Sequence, residues 1–207
     1  TLAEVDAPTE EPADNERPER LAAVLAVIYL LFNEGYSATA GGDWMRPALS
    51  EEAVRLGRVL AGLVPDDPEV LGLLALMEIQ MSRTAARTSP DGAPVLLLDQ
   101  DRSRWDQLLI RRGLAALDRA LALGGTVGPY ALQAEIAACH ARARAAEDTD
   151  WARISSLYEA LAALTGSAVV EVNRAVALSM AHGPAAGLAL IDQLAELAVE
   201  LKGSVSG

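Results

Sequence analysis

The chain has 207 residues, 51% of them hydrophobic and 22% charged, which is enough apolar surface for one elongated domain or two small ones and too much for a disordered chain. Its net charge of −12 argues against direct nucleic-acid binding, since phosphate contacts rely on clustered Lys and Arg, and it points instead to a protein or basic partner. Cys139 is the only cysteine, so a disulfide framework and a thiolate metal site are excluded and a reducing cytoplasm is expected.

No apolar run reaches the length of a membrane span, and the acidic start Thr1 to Glu19 lacks the basic and apolar regions of a signal peptide. The missing initiating Met makes the chain read as a piece of a longer protein. Aromatics make up 4% of the residues, so the core has to be built from Leu, Ala and Val, the small-to-medium side chains of close helix packing.

Residues 1–17, rich in Glu, Asp and Pro, read as an acidic linker or tail. Pro18 suits a first helical turn, and Leu21, Leu25, Ile28 and Phe32 recur at helical spacing up to about Asn33. Gly35 can then take a left-handed cap, and Trp44 in the following loop is expected to fold back onto an apolar face. Ser50 starts a second helix that ends at Pro65-Asp66-Asp67-Pro68, and a third spans about 68–83. Ser89-Pro90-Asp91-Gly92 is a turn signal, and Val95 to Leu98 reads as a buried extended or turn segment.

A fourth helix is expected from Asp101 to Leu123, stopped by Gly124-Gly125, and a fifth from Tyr130 to about Ala143 after Gly128-Pro129. Asp150 caps a sixth through Leu164; a seventh spans about 168–181 and an eighth about 185–201, with Gly203 to Gly207 a disordered tail. The expected fold is therefore all-α. Eight helices with short connections favour stacked antiparallel hairpins. Leu117-x2-Ala120-Leu121-x-Leu123-x-Gly125 and Tyr158-x2-Leu161-Ala162-x-Leu164-x-Gly166 share a register like that of the second helix of a tetratricopeptide repeat. The reading is an irregular solenoid over residues 18–202.

The charged run from Asp99 to Asp106, with Arg102, Arg104 and Trp105 inside it, reads as a helix start and a polar lock between two halves of the array. Asp99, Asp101 and Ser103 alternate like the start of a calcium loop, but the sixth position is not Gly and the twelfth, Ile110, is not a carboxylate. The arginines can pair with those carboxylates or with Glu34. Cys139 and His140 are neighbours on a helix and point about 100° apart, which favours a core cysteine and a hydrogen-bonded histidine over a nucleophile and its base. Glu34 and Asp99 leave a hydrolase open as the least favoured reading, because no activated nucleophile, phosphate loop or zinc motif accompanies them. No catalytic residue, metal or cofactor is assigned. Tyr130, Gln133, Asn173 and Arg174 fall on helices expected to be the inner members of hairpins, where solenoids line a concave groove; the plain alternative is that Asn173 bonds a neighbouring turn.

Taken in order, Asn33-Glu34-Gly35-Tyr36, Leu98-Asp99-Gln100-Asp101-Arg102-Ser103-Arg104-Trp105, Gly128-Pro129-Tyr130 with Leu132-Gln133-Ala134, Asp148-Thr149-Asp150-Trp151 and Asn173-Arg174-Ala175-Val176 resemble the C-terminal extension of a group of extracytoplasmic-function sigma factors. The resemblance covers about residues 18–192, and Thr1-Leu2-Ala3-Glu4 resembles the tail of the promoter-recognising sigma region. It implies a tetratricopeptide-like domain that regulates sigma activity by contacting the sigma core or RNA polymerase in the bacterial cytoplasm. DNA would be reached only through sigma regions outside this chain. With it goes the expectation that Asp99, Asp101, Arg102 and Trp105 hold the junction between the N- and C-terminal hairpins, while Asn33, Glu34, Tyr36, Gln133, Asn173 and Arg174 line the contact groove; the acidic balance read from composition agrees, since an acidic face can dock on basic sigma or polymerase surfaces. The alternative is a small-molecule sensor with its site around Trp105 and Tyr130.

Overall fold

A computed structural model describes residue 13 and residues 15–36, 46–124 and 127–205 of the chain, with side-chain surroundings through Glu196. The fold is all-α. Among the described residues the α-helices are α1 (Arg17–Tyr36), α2 (Pro47–Leu63), α3 (Pro68–Met81), α4 (Gln107–Ala122), α5 (Pro129–Arg142), α6 (Trp151–Thr165), α7 (Ala168–His182) and α8 (Pro184–Val205). None of the described helices is long and apolar enough to cross a membrane. Where the sequence places one domain over 18–202, the residues fall into two compact units, 1–53 and 54–207, with the boundary inside α2.

In the first unit α1 runs through Gly35 to Tyr36, so Gly35 is not the left-handed cap expected of it. It is buried where α2 comes too close for a side chain: a Cβ there would stand 2.5 Å from the Ser50 nitrogen and hydroxyl. Ser50 lies inside α2, which begins at Pro47, and its hydroxyl donates to the Phe32 carbonyl at 3.4 Å. Phe32 and Tyr36 stack with ring centroids 5.2 Å apart. Trp44 lies outside the described residues.

The second unit is organised on α3. Every residue from Val70 to Ile79 is buried, as a helix that is apolar all round must be when neighbours surround it. Asp67 caps it by accepting from the Glu69 and Val70 amides, each at 2.9 Å. Both α4 and α5 pack on α3, and then α6 on α5, α7 on α6 and α8 on α7.

Glycine sets how close these helices come. A Cβ on Gly72 would sit 2.6 Å from the Ala131 nitrogen on α5, and one on Gly113 would sit 2.7 Å from Ile79 on α3. Gly72→Ala therefore has to push α5 away, and we expect a loss of about 1–3 kcal/mol, read as a lower urea midpoint. Helix entry is equally specific. Glu69 on α3 reaches the start of α5 and accepts from the Tyr130 and Ala131 amides at 2.9 and 3.0 Å, replacing the missing cap on Gly128. Burial raises the Glu69 pKa, against the two amides that lower it. At the other end of the unit, α8 continues to Val205, past the boundary expected at Lys202 and into the segment read as a disordered tail.

Candidate functional site: a groove along four helices

The fourth helix begins later than its charged prelude suggests. Asp106, not Asp101, is its cap, accepting from the Leu108 and Leu109 amides at 2.8 and 3.1 Å. Asp101 caps a separate 3-10 turn, Arg102–Arg104, by accepting from the Ser103 amide and hydroxyl at 3.0 and 2.7 Å. The Ser103 hydroxyl and amide together hold the Asp101 carboxyl below the usual range. Asp99 is exposed at the end of another 3-10 turn, Leu97–Asp99. The Val95–Leu98 stretch is extended at Leu96 and enters the 3-10 turn at Leu97, and it is not buried throughout, with Leu96 75% and Leu98 40% exposed.

The backbone between α3 and α4 closes on itself: the Asp106 amide donates to the Ser82 carbonyl and the Val95 amide to that of Arg87, each at 2.8 Å. That closure delivers Trp105, 4% exposed, into a small cluster with Ala86 and Ile110. Arg102 lies over its ring, 4.6 Å from the centroid, and Arg83 from the end of α3 stands 6.0 Å away. Arg102 also donates to the His140 and Ala143 carbonyls. These lie at the C-terminal end of α5, where backbone carbonyls lack helical partners and a cation is favoured. Arg102 thus uses carbonyls rather than the carboxylates expected, while Glu34 pairs with Arg46 at 2.9 Å.

Beside this junction lies a groove of about 320 Å³. Leu76, Gln80 and Arg83 reach it from α3 and its end, and Leu97 from the following loop. Gln133, Ile136, Ala137 and His140 come from α5, Tyr158 and Leu161 from α6, and Val169, Val170 and Asn173 from α7. None of these lining residues is acidic, whereas the sequence reading expected acidic residues in the hollow. Net charge is a sum over the surface and does not locate the charges. Arg83 is held by the Gln80 amide oxygen.

His140 is 9% exposed, meets Trp151 edge-on with centroids 5.3 Å apart, and has a buried Nδ1 without a hydrogen-bond partner. The sequence reading made Cys139 the core residue and His140 a hydrogen-bonded one; His140 is the more buried of the two, and its Nδ1 is unpaired. Burial first, then Arg83 and Arg102, lower its pKa to about 4. Because the unfolded chain binds this proton more readily, stability should fall as pH drops from about 6.5 to about 4. The loss from this residue should reach about 3 kcal/mol. His140→Gln should remove that share, seen as a smaller gap between urea midpoints at neutral pH and at the acid end of this window.

Of the residues singled out in the sequence, Gln133 and Asn173 line the groove; Tyr130, Arg174, Asp99, Asp101, Arg102 and Trp105 do not. Gln133 donates to the Pro129 carbonyl at 3.1 Å. Arg174 pairs with Glu159 and Glu171 at 3.0 and 3.2 Å. Tyr130 meets Glu69 through its backbone amide. Asn33, Glu34 and Tyr36 belong to the first unit. Sequence reasoning missed Arg83, Leu97 and Val169. Their one signal is placement: Arg83 follows the most apolar helix, and Val169 begins a helix whose exposed face stays aliphatic. Among the described residues no group of three His, Cys, Asp or Glu is placed to hold a metal ion. Cys139 is half-buried, and burial pushes its thiol pKa up, away from the reactive thiolate.

Residues 20–121 match a family of unknown function (DUF6596). The chain is also similar to an uncharacterized protein of Rhizobium meliloti (strain 1021), 49% identical over 195 residues, an alignment that takes in 94% of this chain. The same alignment spans 46% of that relative, so the chain covers about half the length of the curated relative it matches. No solved structure matches the chain.

Proposed function

We propose that this chain is the regulatory, protein-interacting part of a bacterial extracytoplasmic-function sigma factor, acting in the cytoplasm on the sigma core or on RNA polymerase. The observation that carries the reading is the groove, where α3, α5 and α7 present aliphatic side chains beside amides and a guanidinium. Such a mixture suits a polypeptide better than a reacting substrate. The order of motifs from Asn33 to Val176 supports the sigma assignment, and a relative about twice the length of the aligned stretch leaves room for further regions. The helices would continue as an irregular tetratricopeptide-like stack whose inner members face the partner.

The test is transcription from the sigma factor's own promoter by the full-length protein. Val169 is 70% exposed, so Val169→Asp should leave the fold intact. It should change transcription several-fold, since a charge desolvated against the partner is costly. Unchanged transcription from both Val169→Asp and Asn173→Arg would contradict the proposal. A sensing site centred on Trp105 and Tyr130 has no support from the groove, which neither residue lines.

A further inference from the structure

Among the described residues, the buried side-chain nitrogens and oxygens that have no hydrogen-bond partner in the chain gather in one place. They are Thr88 Oγ1, Gln100 Oε1, Arg102 Nη2, Trp105 Nε1, His140 Nδ1 and Thr149 Oγ1. The first four lie in the segment 83–105 that joins α3 to α4. The other two lie on α5 and on the α5–α6 connection, at the end of α5 whose carbonyls Arg102 grips. Such atoms are costly while buried and bond to water once exposed.

The segment is also thinly anchored. Between Ser82 and Asp106 the buried residues are Ala86, Gln100 and Trp105, whereas every residue of α3 from Val70 to Ile79 is buried. Its neighbours do not need it to close their ends. Ser82 finishes α3 with its own amide and hydroxyl, which donate to the Glu78 and Ile79 carbonyls at 3.0 and 2.6 Å, and Asp106 caps α4. Both helices therefore keep their ends when the segment between them lifts.

We infer that residues 83–105 form a strap that opens as one unit while the helices stay folded, and that Leu97 makes this strap a movable wall of the groove. Opening frees the strap backbone and hydrates the orphaned atoms; closing regains the burial of Trp105 and the bonds from Arg102 to α5. Opening also takes Leu97 out of the groove lining. An occupant that touches Leu97 thus favours the closed strap, which couples occupancy to closure. That coupling rests on the reading of the groove as a protein-binding site; the opening itself does not.

The test is native-state hydrogen exchange of the 207-residue chain, followed by NMR in low urea. The Val95 and Trp105 amides, bonded to the Arg87 and Arg102 carbonyls, and the buried indole proton of Trp105 report the strap. The amides from Leu74 to Ile79 report α3. The strap reporters should share one opening and, relative to intrinsic rates, exchange at least about tenfold faster than those of α3. Val70→Ala, at the far end of α3, weakens the closed and open forms alike. It should lower α3 protection roughly tenfold and leave the strap reporters unchanged. Arg102→Met removes the grip on α5 and should speed the strap reporters about tenfold or more. Equal protection of strap and α3, a fall in both with Val70→Ala, or separate openings at Val95 and Trp105 overturns the inference. With the sigma core regions added, the strap reporters should slow at least about fivefold. Shifts of the groove methyls without that slowing refute the coupling and leave the interaction domain standing. No binding refutes the interaction domain, while the comparison with α3 still decides the strap.

Discussion

Trp105→Ala should destabilise the second unit by about 3–5 kcal/mol, the range for emptying a large aromatic site in a core. The ring is 4% exposed and packs with Ala86 and Ile110, so the neighbours cannot refill the space without breaking the closure between Ser82 and Asp106. The indole is also the surface on which Arg102 lies while its guanidinium caps α5 through the His140 and Ala143 carbonyls. Arg102→Ala alone should cost about 2–3 kcal/mol, because bonds from a charged donor are among the stronger ones. The double variant should lose clearly less than the sum, since the two side chains act as one unit. Urea denaturation of the three variants measures this coupling, and strict additivity would show that Arg102 and Trp105 hold the loop independently.

A second large loss is expected at Glu78, which no sequence pattern marks out. This carboxylate is 2% exposed in the apolar helix α3 and is met by Arg58 at 2.8 Å and Arg112 at 3.4 Å, both on the same oxygen. Arg58→Ala leaves a buried carboxylate with only its more distant partner, and we expect a loss of about 3 kcal/mol. Adding Glu78→Gln to Arg58→Ala should recover part of that loss, because the uncompensated charge, and not the missing arginine, is the source of the cost. If Glu78→Gln deepens the loss instead, the ion pair matters for packing rather than for charge.

The elements were legible where local rules suffice. Pro68 after Asp67, Gly166 after Thr165 and Pro184 after Gly183 mark helix ends that the chain obeys, and the all-round apolar run of α3 marks the centre of the second unit. Gly35 broke the pattern because its role is the close approach of Ser50, a contact between residues distant in sequence. The charged run from Asp99 to Asp106 carried too many candidate caps for its pattern to choose among them. Three aspartates compete there, and the 3-10 turn capped by Asp101 delays the helix until Asp106.

The groove was legible only in part. Gln133 and Asn173 follow from helix order, whereas Arg83 and His140 meet because α3 and α5 pack side by side about Gly72. That juxtaposition is set by packing between helices and not by any local pattern, so Arg83 and His140 carry no mark in the sequence that places them together.

The most direct test of the proposed protein-binding groove is a methyl chemical-shift titration of this chain with the sigma core regions that the proposal makes its partner. The account predicts that shifts concentrate on Leu76, Ile136, Leu161 and Val169, with Leu121 on α4 and Leu188 on α8 unmoved. Shifts confined to α4 or α8, or none at saturating partner, would contradict it.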